Sequence, residues 1–170
     1  MSIDRRVARM RAVVRRPGDV VLFARMVGWA ATLPVLKRRM SLTRLVETAR
    51  PKARTSARPE TVIALASWVY RLPGFRDNCL EKSLVTYRYL PAGPNEYRLV
   101  LGVRRAEAEG PPGHAWLTMD GRPVHDTPAA LVDLVPILSF DEEGRREDAS
   151  RPVSPHGPGG RHGGPETEQE

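Results

Sequence analysis

At 170 residues, with 41% hydrophobic and 28% charged side chains, the chain is long enough to bury one core and reads as a single compact domain. Its one cysteine excludes an intramolecular disulfide framework and a paired-cysteine zinc site. The net charge of +7 is unevenly placed, because residues 1–58 hold 15 basic and 3 acidic side chains and the remainder is mildly acidic.

Six arginines (Arg5, Arg6, Arg9, Arg11, Arg15 and Arg16) precede an apolar run at 20–36, an outline shared with signal peptides. Arg25 interrupts the run, no small-residue cleavage site follows Leu36, and Lys37, Arg38 and Arg39 come next. A central Arg costs about 2.5–3.5 kcal/mol on membrane insertion, so the expectation is a cytoplasmic protein whose membrane contact, if it has one, is peripheral.

Helical spacing of Ile3, Val7, Met10, Val13 and Val14 predicts a first helix ended by Pro17-Gly18. Asp19 is the expected cap of a second helix, which Pro34 bends or ends after Leu33. Ser41 caps a third, with Leu42, Leu45 and Val46 on one side. The Lys/Arg/Ser/Thr/Pro-rich stretch 51–59 reads as a linker or loop. An apolar stripe of Val62, Ile63, Ala66, Val69 and Tyr70 predicts a helix over 60–70, broken by Leu72-Pro73-Gly74.

Asn78 and Glu81 have the spacing of a capping box, which opens a helix to about Leu90. The period then changes to that of strands, at 97–103 and 114–119. Asp120-Gly121 is a hairpin signal leading into a third short strand through Val124, and 131–140 reads as a helical turn or strand. From Asp141 the chain is rich in acidic residues and then in Gly and Pro, which predicts a disordered tail. The implied division is a basic helical arm (1–58), a core (59–140) and a tail (141–170).

Cys79 stands first in the helix that Asn78 caps. A helix N-terminus stabilises a thiolate and offers unpaired N–H groups to a developing oxyanion. The alternative, a small buried hydrophobe, is common for free cysteines. A nucleophilic thiol needs an imidazole, and the imidazole needs an orienting acceptor. His114 opens a strand, and the hairpin at 120–121 returns residue 126 to the level of residue 115, so His114 and Asp126 are candidate neighbours. Taken singly, His114 could be a capped loop histidine and Asp126 a helix N-cap. Trp116 shares the face of His114, either walling a cleft or simply filling the core. Ser83, one turn after Cys79, reads as a helix-face hydroxyl. His156 and His162 lie among glycines, where a low-complexity tail is the better reading than a metal site.

The strings Asn78-Cys79-Leu80-Glu81-Lys82-Ser83-Leu84, Leu99-Val100-Leu101-Gly102-Val103 and His114-Ala115-Trp116-Leu117, followed by Asp120-Gly121, resemble the transglutaminase-like leader peptidases of lasso peptide biosynthesis. The block order is similar across about residues 60–140, and the arginine-rich arm is typical of the short, stand-alone form. Leu117-Thr118 departs from the more usual Val-Glu after the Trp. The resemblance implies an α+β papain/transglutaminase-like core, with a Cys-bearing helix on a small antiparallel sheet that bears His and Asp. It implies Cys79 as nucleophile, His114 as base and Asp126 as orienting acid, with no cofactor or metal. The implied partners are a precursor peptide's leader, a separate small leader-recognition protein and an asparagine-synthetase-like ATP-dependent cyclase. Two readings stay open beside it. One is acyl transfer to an amine through the same triad. The other is a noncatalytic cationic adaptor, although no aromatic interleaving or nucleic-acid motif supports it and nucleic acid is not an expected partner.

Overall fold

The computed structural model describes residues 16–51, 57–91, 96–105 and 110–147. The helix expected over 3–14, together with His156 and His162, lies outside them.

The N-terminal half is helical. Helix α1 (Pro17–Arg39) begins with Pro at its first position, where a missing N–H costs nothing. Asp19 is not its cap but sits one turn in, where its Oδ2 accepts the Arg16 N–H at 2.9 Å. Pro34 neither ends nor limits the helix, which continues for five further residues to Arg39. Packing outweighs the lost backbone bond: Leu22, Met26, Ala30 and Leu33 are buried, while Pro34 lies on the exposed side. Helix α2 (Leu42–Ala49) is capped by Ser41 and buries Leu45, Val46 and Ala49. Helix α3 (Pro59–Val69) again has Pro at its first position and buries Val62, Leu65, Ala66 and Val69.

Helix α4 (Cys79–Tyr89) starts as its sequence predicts, with Asn78 Oδ1 accepting the Glu81 N–H at 3.1 Å. The return half of the box is replaced. The Glu81 carboxylate, almost buried, pairs with Lys37 Nζ of α1 at 2.5 Å. The first turn of α4 is therefore fixed from both sides, by its own cap and by α1.

Five antiparallel strands follow in the order β3-β2-β1-β4-β5: β1 (Tyr97–Arg104), β2 (Gly113–Met119), β3 (Arg122–Pro123), β4 (Leu134–Phe140) and β5 (Arg146–Glu147), with a four-residue helix α5 (Pro128–Leu131) before β4. The β2–β3 turn is the expected one. Asp120 and Gly121 both have positive φ, 50° and 75°, the pair that a two-residue hairpin of this twist requires. β3 is shorter than expected, since pairing ends at Pro123 and one further bond, Val124 N–H to Leu117 O, closes the ladder. β5 extends the fold past residue 140, where a tail was expected. The Asp141 carboxylate accepts the N–H groups of Glu143 and Arg145 and so builds the turn that returns the chain to β4.

One face of the sheet, with Tyr97, Leu99, Leu117 and Phe140, joins the buried stripes of α1 to α4 in a single core. The change in composition at residue 58 does not coincide with a break in this packing. Arg16, just before α1, and the arginines within it (Arg25, Arg38 and Arg39) are exposed. By length and composition α1 could cross a membrane, but its buried stripe is committed to the core.

On the opposite face, Val100, Trp116 and Leu134 form a small second cluster with Leu131 of α5 packed against it. Gly102 makes that cluster possible. A Cβ there would lie 2.8 Å from both Trp116 Cη2 and the Val135 carbonyl, at the bulge where the β1–β4 register shifts. Gly102→Ala is expected to cost about 1–3 kcal/mol, because the carbonyl is backbone and cannot swing aside. Urea denaturation of the variant measures this, and an unchanged midpoint would contradict the close packing.

Candidate active site

The site is built where the start of α4 meets the start of β2. Ser83, one turn into α4, is buried and donates to the Ala115 carbonyl at 3.1 Å. This bond anchors the helix to β2 one residue beyond His114. Cys79, partly exposed, is the first residue of that helix, with the dipole and the free N–H groups of a helix start around it.

His114 is the second residue of β2, after the exposed Gly113, and pairs in register with Gly102 of β1. Its Nε2 lies 3.1 Å from Asp126 Oδ1. Both side chains are about three-quarters buried, at 25% and 23% exposure, so the pair is only partly screened by water. With Nε2–H donating to the carboxylate, Nδ1 is the nitrogen left to take a proton. The imidazole lies nearly parallel to Trp116, with centroids 6.0 Å apart and an interplanar angle of 16°. Trp116 is itself held by Val100 and Leu134, so the second cluster fixes the plane of the histidine.

The structure thus brings His114 and Asp126 into contact and places Cys79 at the start of the helix that Ser83 bonds to β2. Among the described residues Cys79 makes no hydrogen bond to the imidazole.

Sequence reasoning passed over His125. Its Nε2 is 2.7 Å from Thr86 Oγ1 of α4 and its Nδ1 is 3.4 Å from Ser67 Oγ of α3. Burial pushes its pKa down to about 4, helped by Lys82 and opposed by Asp126 and Asp77. The folded chain therefore resists protonation that the unfolded chain accepts near 6.5, and stability falls as pH drops through the window from about 6.5 to 4. The expected loss is about 2 kcal/mol by pH 5, absent in His125→Gln. Comparing the denaturation midpoints of the two chains at neutral pH and at pH 5 checks it, and parallel losses would contradict it.

A family model of the transglutaminase-like superfamily matches residues 19–139, a span that runs from α1 to the end of β4. No curated protein and no solved structure matches the chain. The matched span contains the cysteine-bearing helix, the antiparallel sheet and the His114–Asp126 pair, in the α+β papain-like arrangement described above. On a match that covers most of its length, the chain belongs to the transglutaminase-like superfamily, whose chemistry is of the cysteine peptidase and acyltransferase type.

Proposed function

We propose that this chain is a cysteine peptidase that removes the leader from a lasso peptide precursor, with Cys79, His114 and Asp126 as its triad. The observation that carries the reading is the His114–Asp126 contact at 3.1 Å on the strand to which Ser83 bonds the helix that begins at Cys79. It is supported by the three motif blocks of the sequence, all of which lie in the core.

In this mechanism the Cys79 thiolate attacks the scissile carbonyl carbon while His114 holds the thiol proton. The oxyanion is met by N–H groups at the start of α4. Collapse breaks the C–N bond, His114 gives its proton to the leaving amine, and the leader remains as a thioester. Water then attacks the thioester, with His114 taking its proton and returning it to the Cys79 sulfur. The core peptide leaves with a free α-amine, which is the group an ATP-dependent cyclase of the asparagine-synthetase type would join to a carboxylate.

A separate small protein supplies leader recognition in this proposal, and it docks on the outward side of α1. There Val20, Val21 and Val35 are 55%, 60% and 53% exposed, more apolar surface than a solvated helix face needs. Holding leader and peptidase together raises the local concentration of the cleavage site.

The test is mass spectrometry of a precursor incubated with the purified chain, with and without the recognition protein. Cleavage at one bond is expected, accelerated about tenfold or more by the partner. Val21→Glu should remove the acceleration and leave the slow cleavage by the chain alone. A precursor left intact under both conditions refutes the function, and equal rates refute the division of labour.

A further inference from the structure

The segment that carries Asp126 has little backbone holding it in place. β3 pairs over two residues only, Arg122 and Pro123, and the Val124 N–H to Leu117 O bond is the last of the ladder. Residues 124–126 then bend, and the next backbone bond is at the start of α5, from Ala130 N–H to Thr127 O. Besides Val124, which packs on the main core, and the Asp126–His114 contact itself, the bend is joined to the body by the His125 ring, wedged between Thr86 on α4 and Ser67 on α3.

The surrounding hydrogen bonds assign a single tautomer. Thr86 Oγ1 donates to the Lys82 carbonyl at 2.9 Å, so it accepts from His125 Nε2–H at 2.7 Å. The Ser67 hydroxyl donates to the Ile63 carbonyl at 3.0 Å, so its 3.4 Å approach to the bare Nδ1 is a packing contact. A neutral ring with its proton on Nε2 satisfies Thr86. Burial keeps the ring neutral, as this single proton requires.

We propose that His125 is a positioning residue: by bridging Ser67 and Thr86 it ties the Asp126 backbone to the helix that starts at Cys79, and so keeps the carboxylate on His114. The inference rests on the triad proposed above. His125 touches neither substrate nor the reacting atoms. Through Thr86 it makes the acid's segment and the nucleophile's helix one unit, so that a shift of α4 carries Asp126 with it.

The test reads Cys79 directly and needs no substrate. As the chain has one cysteine, the mass gained from iodoacetamide reports that thiol alone. At about pH 6.5, Asp126→Asn is expected to slow alkylation about tenfold, and His125→Ala about fivefold. The double variant should be no slower than Asp126→Asn alone, since His125 acts only through that carboxylate. His125→Gln, which can still donate to Thr86, should recover to within about twofold of the native rate.

A native rate in Asp126→Asn overturns the triad, and this proposal with it. A slow Asp126→Asn beside a native-rate His125→Ala overturns this proposal alone, as does a double variant whose losses multiply. Should His125→Ala fail to fold by circular dichroism, Thr86→Val removes the same bond without touching the bend. It is expected to slow alkylation about threefold, and a native rate there overturns the proposal.

Discussion

Cys79→Ala is expected to abolish precursor cleavage while leaving the fold nearly unchanged. The two halves of this expectation rest on different observations. Loss of activity follows because no other described side chain stands in the place of a nucleophile. Ser83, the hydroxyl one turn on, is buried and already donates to the Ala115 carbonyl, so it cannot stand in for the thiol. Preservation of the fold follows from partial exposure. Removing one sulfur from a partly exposed position costs below about 1 kcal/mol, and the Asn78 cap and the Lys37–Glu81 pair that fix the start of α4 do not involve the thiol. The measurement is single-turnover cleavage followed by mass spectrometry, beside a thermal melt. Cleavage at more than about a thousandth of the native rate would exclude a thiol mechanism. A melt lowered by many degrees would instead show that Cys79 is a packing residue, the common role of a free cysteine.

How far the sequence foretold the fold depended on whether a feature was local. Asn78 capping α4, Ser41 capping α2 and the Asp120–Gly121 turn are each decided within four residues, and each formed where expected. Pro34 was misleading because its rule is also local, whereas the continuation of α1 is set by Leu33 and Leu36 packing on distant helices. Glu81 shows the same competition: a local partner, the Asn78 N–H, lost to Lys37, which is remote in sequence and arrives only when α1 packs on α4.

The candidate site followed the same division. The hairpin arithmetic brought residue 126 to the level of residue 115, and the His114–Asp126 contact agrees with it even though regular pairing stops at Pro123. The bond that anchors the Cys79 helix beside His114 could not be read in advance, since it joins a serine to a backbone carbonyl 32 residues away. Nor could the role of His125, whose partners Ser67 and Thr86 lie on two different helices. Its position next to Asp126 was the only visible signal.

The second large effect separates base from orienter. His114→Ala is expected to match Cys79→Ala in severity, because a triad acts as a unit and removing either the thiol or its proton acceptor disables the same step. Asp126→Asn should be milder, with kcat reduced by about 10²–10⁴ and KM for the precursor little changed. The reason for the difference lies in what remains. Trp116 still stacks on the imidazole and the second cluster still holds Trp116, so the ring keeps its plane even when the carboxylate that fixes its proton on Nε2 is gone. An Asn amide can present either an oxygen or an N–H to Nε2, and only the first leaves Nδ1 free to take the thiol proton. Trp116→Leu together with Asp126→Asn should therefore lose more than the product of the single losses, since the two supports back each other up. Steady-state kinetics of the native chain, the three single variants and the double variant decide it. Full activity in Asp126→Asn would mean that the third member is another residue, and equal severity in Asp126→Asn and His114→Ala would mean that Trp116 does nothing to hold the ring.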